Sequence, residues 1–238
     1  MTPTLTDIAT YLDTYLDVSR FPDDQNGIYR PSSRPITRIG LAIEPWIGIG
    51  AWVQHQQLDA LFLHRPWRIN MKTLPNDVGV LAYHLSFDLM LTFGYNPRLA
   101  SALMMQHHTP FAYKESIPYG MFGDIAPTSL DKVVRLLDNT FGKTPTIETR
   151  FAETIQRIAI VGAMTDKLVR EAAMHNVDLY ITGQFRQPAR KAVQETHMNV
   201  AIIGHDVGEQ WGLRALSALL QAQWEHIEAV IVASSGST

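Results

Sequence analysis

The feature that most constrains this chain is a strand–helix alternation that occurs twice at nearly the same interval. Short apolar runs read as buried strands at Arg38–Ile43, Leu58–Leu63 and Val78–Tyr83, and again at Arg157–Gly162, Val177–Thr182 and Asn199–Gly204. Arg38 and Arg157 lie 119 positions apart, Asp59 and Asp178 again 119, and His84 and His205 121. Such an offset across three strands reads as an internal duplication. Generic likeness among βαβ units is the simpler explanation. It does not account for both third strands ending in a histidine followed four residues later by a carboxylate, in His84-x-x-x-Asp88 and His205-x-x-x-Glu209.

Between the strands, helical spacing appears at Thr6–Val18, up to about Gln56, at Asp166–His175, around Ala189–Thr196 and at Glu209–Trp224, with a last strand at Ala229–Ala233. Phe21–Gly27 and Pro31–Pro35 read as loops. The stretch from His108 to Pro127 breaks the pattern with three prolines and two glycines and predicts irregular strands or a hairpin. Thr128–Phe141 predicts a helix capped by Thr128 or Ser129 and stopped by Gly142. The expectation is an α/β fold of two similar lobes, divided near residues 1–126 and 127–238.

Composition narrows the chemistry. The chain is 46% apolar and 18% charged, a balance that supports a packed core. The absence of cysteine excludes disulfides, thiolate metal sites and cysteine nucleophiles. A formal charge of −3 and no basic cluster argue against nucleic acid. The longest apolar stretch, Ile39–Val53, is interrupted by Glu44 and Pro45, and the first residues do not read as a secretion signal, so a cytoplasmic protein away from membranes is expected. Gly48-Ile49-Gly50 lacks a third glycine for dinucleotide binding, and neither a P-loop nor a Gly-x-Ser-x-Gly elbow is present.

In α/β folds the carboxyl ends of parallel strands face the ligand crevice. His64, His84 and His205 stand at such ends, and one helical turn returns Asp88 and Glu209 towards their histidines. Imidazole and carboxylate donors together suit zinc, iron, manganese or cobalt. The competing reading makes these hydrogen-bonded structural histidines and carboxylates favoured by helix N-termini. The other histidines, His107 and His108 among them, read as helix or loop residues.

The strings Leu58–His64, Tyr83–Asp88, Asp178–Gly183 and Gly204–Glu209, in that order, resemble the NGG-interacting-factor-three-like family, whose bacterial members are often named GTP cyclohydrolase I type-two homologs. Asn26-Gly27 and Gly212–Leu216 extend the likeness over nearly the whole chain. The resemblance implies two intertwined lobes, a dinuclear metal site between them and a hexameric ring. It places metal ligands on His64, Asp88, His205 and Glu209, with His84 lining the site. The function expected on these residues is that of a metal-dependent hydrolase in which Glu209 or His84 moves the proton. Its substrate would be a small phosphorylated or heterocyclic molecule.

Two positions depart from the family pattern. Arg65 stands where a second histidine is usual, and Gln184 where an acidic residue follows Ile-Thr-Gly. A guanidinium cannot ligate a metal, though it can bind an anionic ligand group. At about 4 Å and an effective dielectric near 20, a unit charge pair costs on the order of 4 kcal/mol, and a divalent ion doubles that. The expectation is therefore at most one divalent ion per chain. A non-catalytic, ring-forming binding or regulatory protein with a degenerate site is the alternative.

Overall fold

The computed structural model describes residues 2–232. In chain order, α1 (Leu5–Tyr15) is followed by β1 (Asn26–Arg30), β2 (Arg38–Ala42), α2 (Ile49–His55), β3 (Ala60–Leu63), β4 (Gly79–Tyr83) and α3 (Leu85–Leu91). Then come α4 (Pro97–Ala102), β5 (Gln106–Lys114), β6 (Ile117–Ser129), α5 (Leu130–Phe141), β7 (Thr146–Thr149) and β8 (Thr154–Val161). The chain ends with α6 (Asp166–Met174), β9 (Leu179–Thr182), α7 (Arg190–Thr196), β10 (Asn199–Ile202), α8 (His205–Gln223) and β11 (Glu228–Ile231). Ala233, the expected end of the last strand, lies outside the described residues.

Two compact units result, one formed by residues 1–87 and 212–238, the other by 88–211. This division differs from a split at 126/127. Two pairings cause it: β6 pairs antiparallel with β8, which draws β5 and β6 into the second unit, and β11 pairs in parallel with β2, aligning Ala229 with Ile39, so β11 completes the first sheet.

The first unit holds a five-stranded sheet ordered β1-β4-β3-β2-β11. Its central strands are parallel, and β1 joins antiparallel at the edge. All side chains of β3 and β4 are buried, as expected where both faces of a parallel sheet are covered. Against it pack Ile49 and Val53 of α2, with Leu58, Leu61, Leu63, Leu74 and Val80 in the same apolar cluster. The capping box of α1, in which Thr4 and Asp7 satisfy each other's backbone N–H, sets where the chain enters this unit.

The second unit holds a six-stranded sheet ordered β5-β6-β8-β9-β10-β7. Here too three parallel strands run side by side, and β7 joins β10 antiparallel at the edge. Its core gathers Val161, Val169, Ala172, Tyr180, Val193 and Val200. The irregular middle of the chain is the β5–β6 hairpin, turned by Glu115 and Ser116, both in the left-handed region. His107 and His108 therefore lie in a strand, not in a helix or loop.

Each parallel trio carries the same device. Asp59 Oδ2 accepts the N–H groups of Thr37 and Arg38, at 2.8 and 2.9 Å, and Asp178 Oδ2 accepts those of Gln156 and Arg157 at the same distances. Each aspartate thereby ties the start of one strand to the start of the next.

Candidate metal centre

His64 follows β3 directly and is wholly buried. Its N–H continues the ladder to Ala42 O at 3.1 Å, which fixes the backbone. Its Nδ1 lies 3.0 Å from the carbonyl oxygen of Tyr83. A carbonyl only accepts, so Nδ1 carries the proton and Nε2 keeps the lone pair, the form in which imidazole binds a metal.

His84 follows β4 and is half-buried. Its Nδ1 lies 3.1 Å from Asp24 Oδ1, and Asp24 Oδ2 also accepts the Leu85 N–H at 2.6 Å. The carboxylate again leaves Nε2 as the lone-pair nitrogen and makes it a better donor, the arrangement found behind metal-bound histidines. The two imidazoles stand 5.1 Å apart centre to centre, with Phe87 packed 4.9 Å from His64 and Trp67 4.9 Å from His84. Asp24 belongs to a stretch expected to be simple loop. Sixty residues separate it from His84, so no local spacing announces the contact. Asn26 takes part as well, because its Oδ1 accepts from Ser86 Oγ at 2.6 Å and anchors the start of α3.

Asp88 lies in the first turn of α3, four residues after His84. One ligand atom from each of His64, His84 and Asp88 can be chosen so that all lie within 4.8 Å of one another. Nitrogen and oxygen donors sit about 2.0–2.2 Å from zinc-like ions, so two donors of one ion lie at most about 4.4 Å apart, and about 3.5 Å apart in a tetrahedral site. Two neutral imidazoles and one carboxylate fit a borderline divalent ion, and fit calcium poorly. The group that could hold an ion thus includes His84, which the expectation had lining the site.

His205 opens α8, and its Nε2 lies 3.1 Å from Oε1 of Glu209, one helical turn on. Glu209 is buried, while the His205 side chain is 61% exposed. Gly204, at φ +106°, makes the sharp exit from β10 that a side chain would strain. Arg65 Nε donates to Glu44 Oε1 at 2.6 Å, so the cation is partly neutralised within its own unit. Gln184 is exposed just after β9.

The overall arrangement is a mixed α/β fold with two sheets, and solved structures share it. Protein ybgI, described as of unknown function, superposes with a TM-score of 0.78 at 19% identity, covering 99% of this chain and 100% of that one. TTHA1606 from Thermus thermophilus gives 0.77 at 22% identity, with the same coverage. Reduced HcgD from Methanocaldococcus jannaschii gives 0.75 at 17%, covering 96% of this chain and 97% of its own. Among curated relatives, proteins named GTP cyclohydrolase 1 type 2 homolog are similar along nearly their full length. The one from Pyrococcus abyssi is 24% identical over 92% of this chain and 93% of its own, and the one from Yersinia pestis 25% over 92% and 94%. Residues 53–237 match the model of the Duf34/NIF3 (NGG1p interacting factor 3) family, and the chain belongs to that family.

Proposed function

We propose that this protein binds a divalent metal ion through His64, His84 and Asp88, and uses it in hydrolysis of a small anionic molecule. The observation that carries the reading is the pair of imidazoles whose Nδ1 protons are committed to Tyr83 O and Asp24. Both rings are thereby held in the metal-binding tautomer before any ion arrives. A bound divalent ion supplies Lewis acidity to whatever group it meets. His64 contributes a dry wall, and Asp24 orients His84. The His205–Glu209 pair offers a buried carboxylate against an exposed imidazole, an arrangement suited to taking up and returning a proton. On the resemblance alone the same two residues are instead further metal ligands, a role that replaces the proton relay.

Metal analysis of tag-free protein purified without chelator tests the reading, with about one zinc, iron, manganese or cobalt per chain expected. His64→Ala should reduce that content to near zero, and unchanged metal content in His64→Ala would sink the assignment. The same measurement on His205→Ala and Glu209→Gln tests those ligands.

Arg65 and Gln184 favour a second reading, a non-catalytic binding or regulatory protein on the same scaffold, since both replace groups of the family's metal chemistry. Metal bound at full occupancy with no turnover of any phosphoester or heterocyclic substrate would favour it. Assembly into a hexameric ring and a cytoplasmic location are proposals as well. Exposed Ile47, Trp67, Met104 and Met174 are apolar surface that a ring would cover. Light scattering showing a monomer at micromolar concentration would refute the ring. Among the described residues no helix is long and apolar enough to cross a membrane.

A further inference from the structure

A cleft of about 580 Å³ opens in the second unit at the carboxyl ends of β8 and β9. Its walls are residues 162–165 ahead of α6, Gly183 and Gln184 behind β9, Arg186 and Pro188, and His205. Among the described residues no carboxylate lines it, in a chain whose carboxylates outnumber its lysines and arginines by 23 to 20.

Arg186 is the cation of this cleft. Arg150, Arg157, Arg170 and Arg190 of the same unit are each held by one or more carboxylates at 2.6–3.0 Å. Among the described residues Arg186 forms no such ion pair, although its backbone is fixed: its carbonyl accepts the Ala189 N–H at 2.9 Å in a turn stiffened by Pro188. The opposite wall is equally set, because Tyr180 Oη donates to Ala163 O at 2.7 Å and the Thr165 hydroxyl caps α6. Gly183 keeps the floor low, since a Cβ there would meet His205 Cα at 3.2 Å. Gln184 stands where the resemblance implies an acidic residue, so this wall of the cleft carries an amide in place of a carboxylate.

We infer that this cleft holds the oxyanion of the substrate, a phosphate or carboxylate group, on the Arg186 guanidinium with Gln184 as a neutral donor. The inference deepens the proposed function by naming the handle on the substrate, and it is tested without metal so that the two can fail separately. Chelator-treated protein is titrated with inorganic phosphate and, in a second arm, with acetate, and binding is read by calorimetry or phosphorus NMR. Saturable binding of either anion is expected, and the arm that saturates identifies the group. Arg186→Ala and the near-isosteric Gln184→Glu should each weaken it about tenfold or more, the fold-change expected from losing a charge-assisted hydrogen bond. Arg135→Ala, on an exposed face of α5, should leave it unchanged. Absence of saturation with both anions, binding indifferent to both cleft variants, or equal loss in Arg135→Ala would overturn the inference.

Discussion

Asp59 shows how a single side chain can bind two strands together. Burial works to raise its pKa, but hydrogen bonds from Thr37 and Arg38 and the charge of Arg34 outweigh it and hold the carboxyl below its ordinary value. Arg34 Nη2 lies 2.8 Å from Oδ1. The unfolded chain takes up the proton first, near the ordinary aspartate pKa of about 3.9, so the stabilisation is fully present above that pH. It is lost as pH falls through the lower, folded value. Asp59→Asn should remove part of the acid dependence below about pH 4 and cost about 2–3 kcal/mol at neutral pH, because an amide cannot accept from all these donors at once. Urea titrations of both proteins at pH 7 and pH 3 check this, and an equal loss at both pH values would contradict it. Arg65 poses the complementary test. If its fixed charge limits the site to one ion, Arg65→His should raise metal uptake towards two per chain. Elemental analysis finding two tightly held ions in the unmutated protein would refute the argument.

At the scale of elements, α8 sets two effects against each other at Gly208. Alanine in a helix interior is favoured over glycine by about 1 kcal/mol. A Cβ at Gly208 would lie 2.3 Å from Phe93 Cε2, however, and Phe93 is itself buried. Overpacking a closed core costs about 1–3 kcal/mol, so packing wins and Gly208→Ala should lower the melting temperature. A rise would mean that Phe93 has room to move. The cap of α5 is simpler. Ser129 Oγ accepts the Lys132 N–H, and Ser129→Ala should cost about 1 kcal/mol in denaturant titration. Ser129 is one of the two caps expected from sequence, and Gly142, at φ +73°, is the expected stop. The strands were legible because continuous apolar runs such as Leu61–Leu63 occur where both faces of a sheet are covered. β1 was not, because Asn26 and Gly27 carry turn chemistry and reveal their role only by pairing with Tyr83 and Ala82. α8 begins four residues earlier than its apolar pattern, because Gly204 turns the chain directly into the helix.

At the scale of the whole molecule, the return of the C-terminus to the first sheet is the decisive event. β11 covers the edge of β2, and Arg38 meets Glu228 across the pair at 2.8 Å. A chain ended after Trp224 would leave that edge with unpaired backbone groups, a template for aggregation. It should melt lower and precipitate more readily than the intact chain, as thermal scattering would show. The sequence by itself determined the α/β class, the three-strand rhythm of each half and the histidines at strand ends, because these follow from local periodicity and from residues a few positions apart. Only the tertiary structure decided which sheet the last strand joins, that Asp24 orients His84, and that His64 stands within reach of His84 and Asp88, a grouping that only the family resemblance had anticipated. Those contacts join residues that are twenty to nearly two hundred positions apart, and no pattern along the chain records which distant segments burial will bring together.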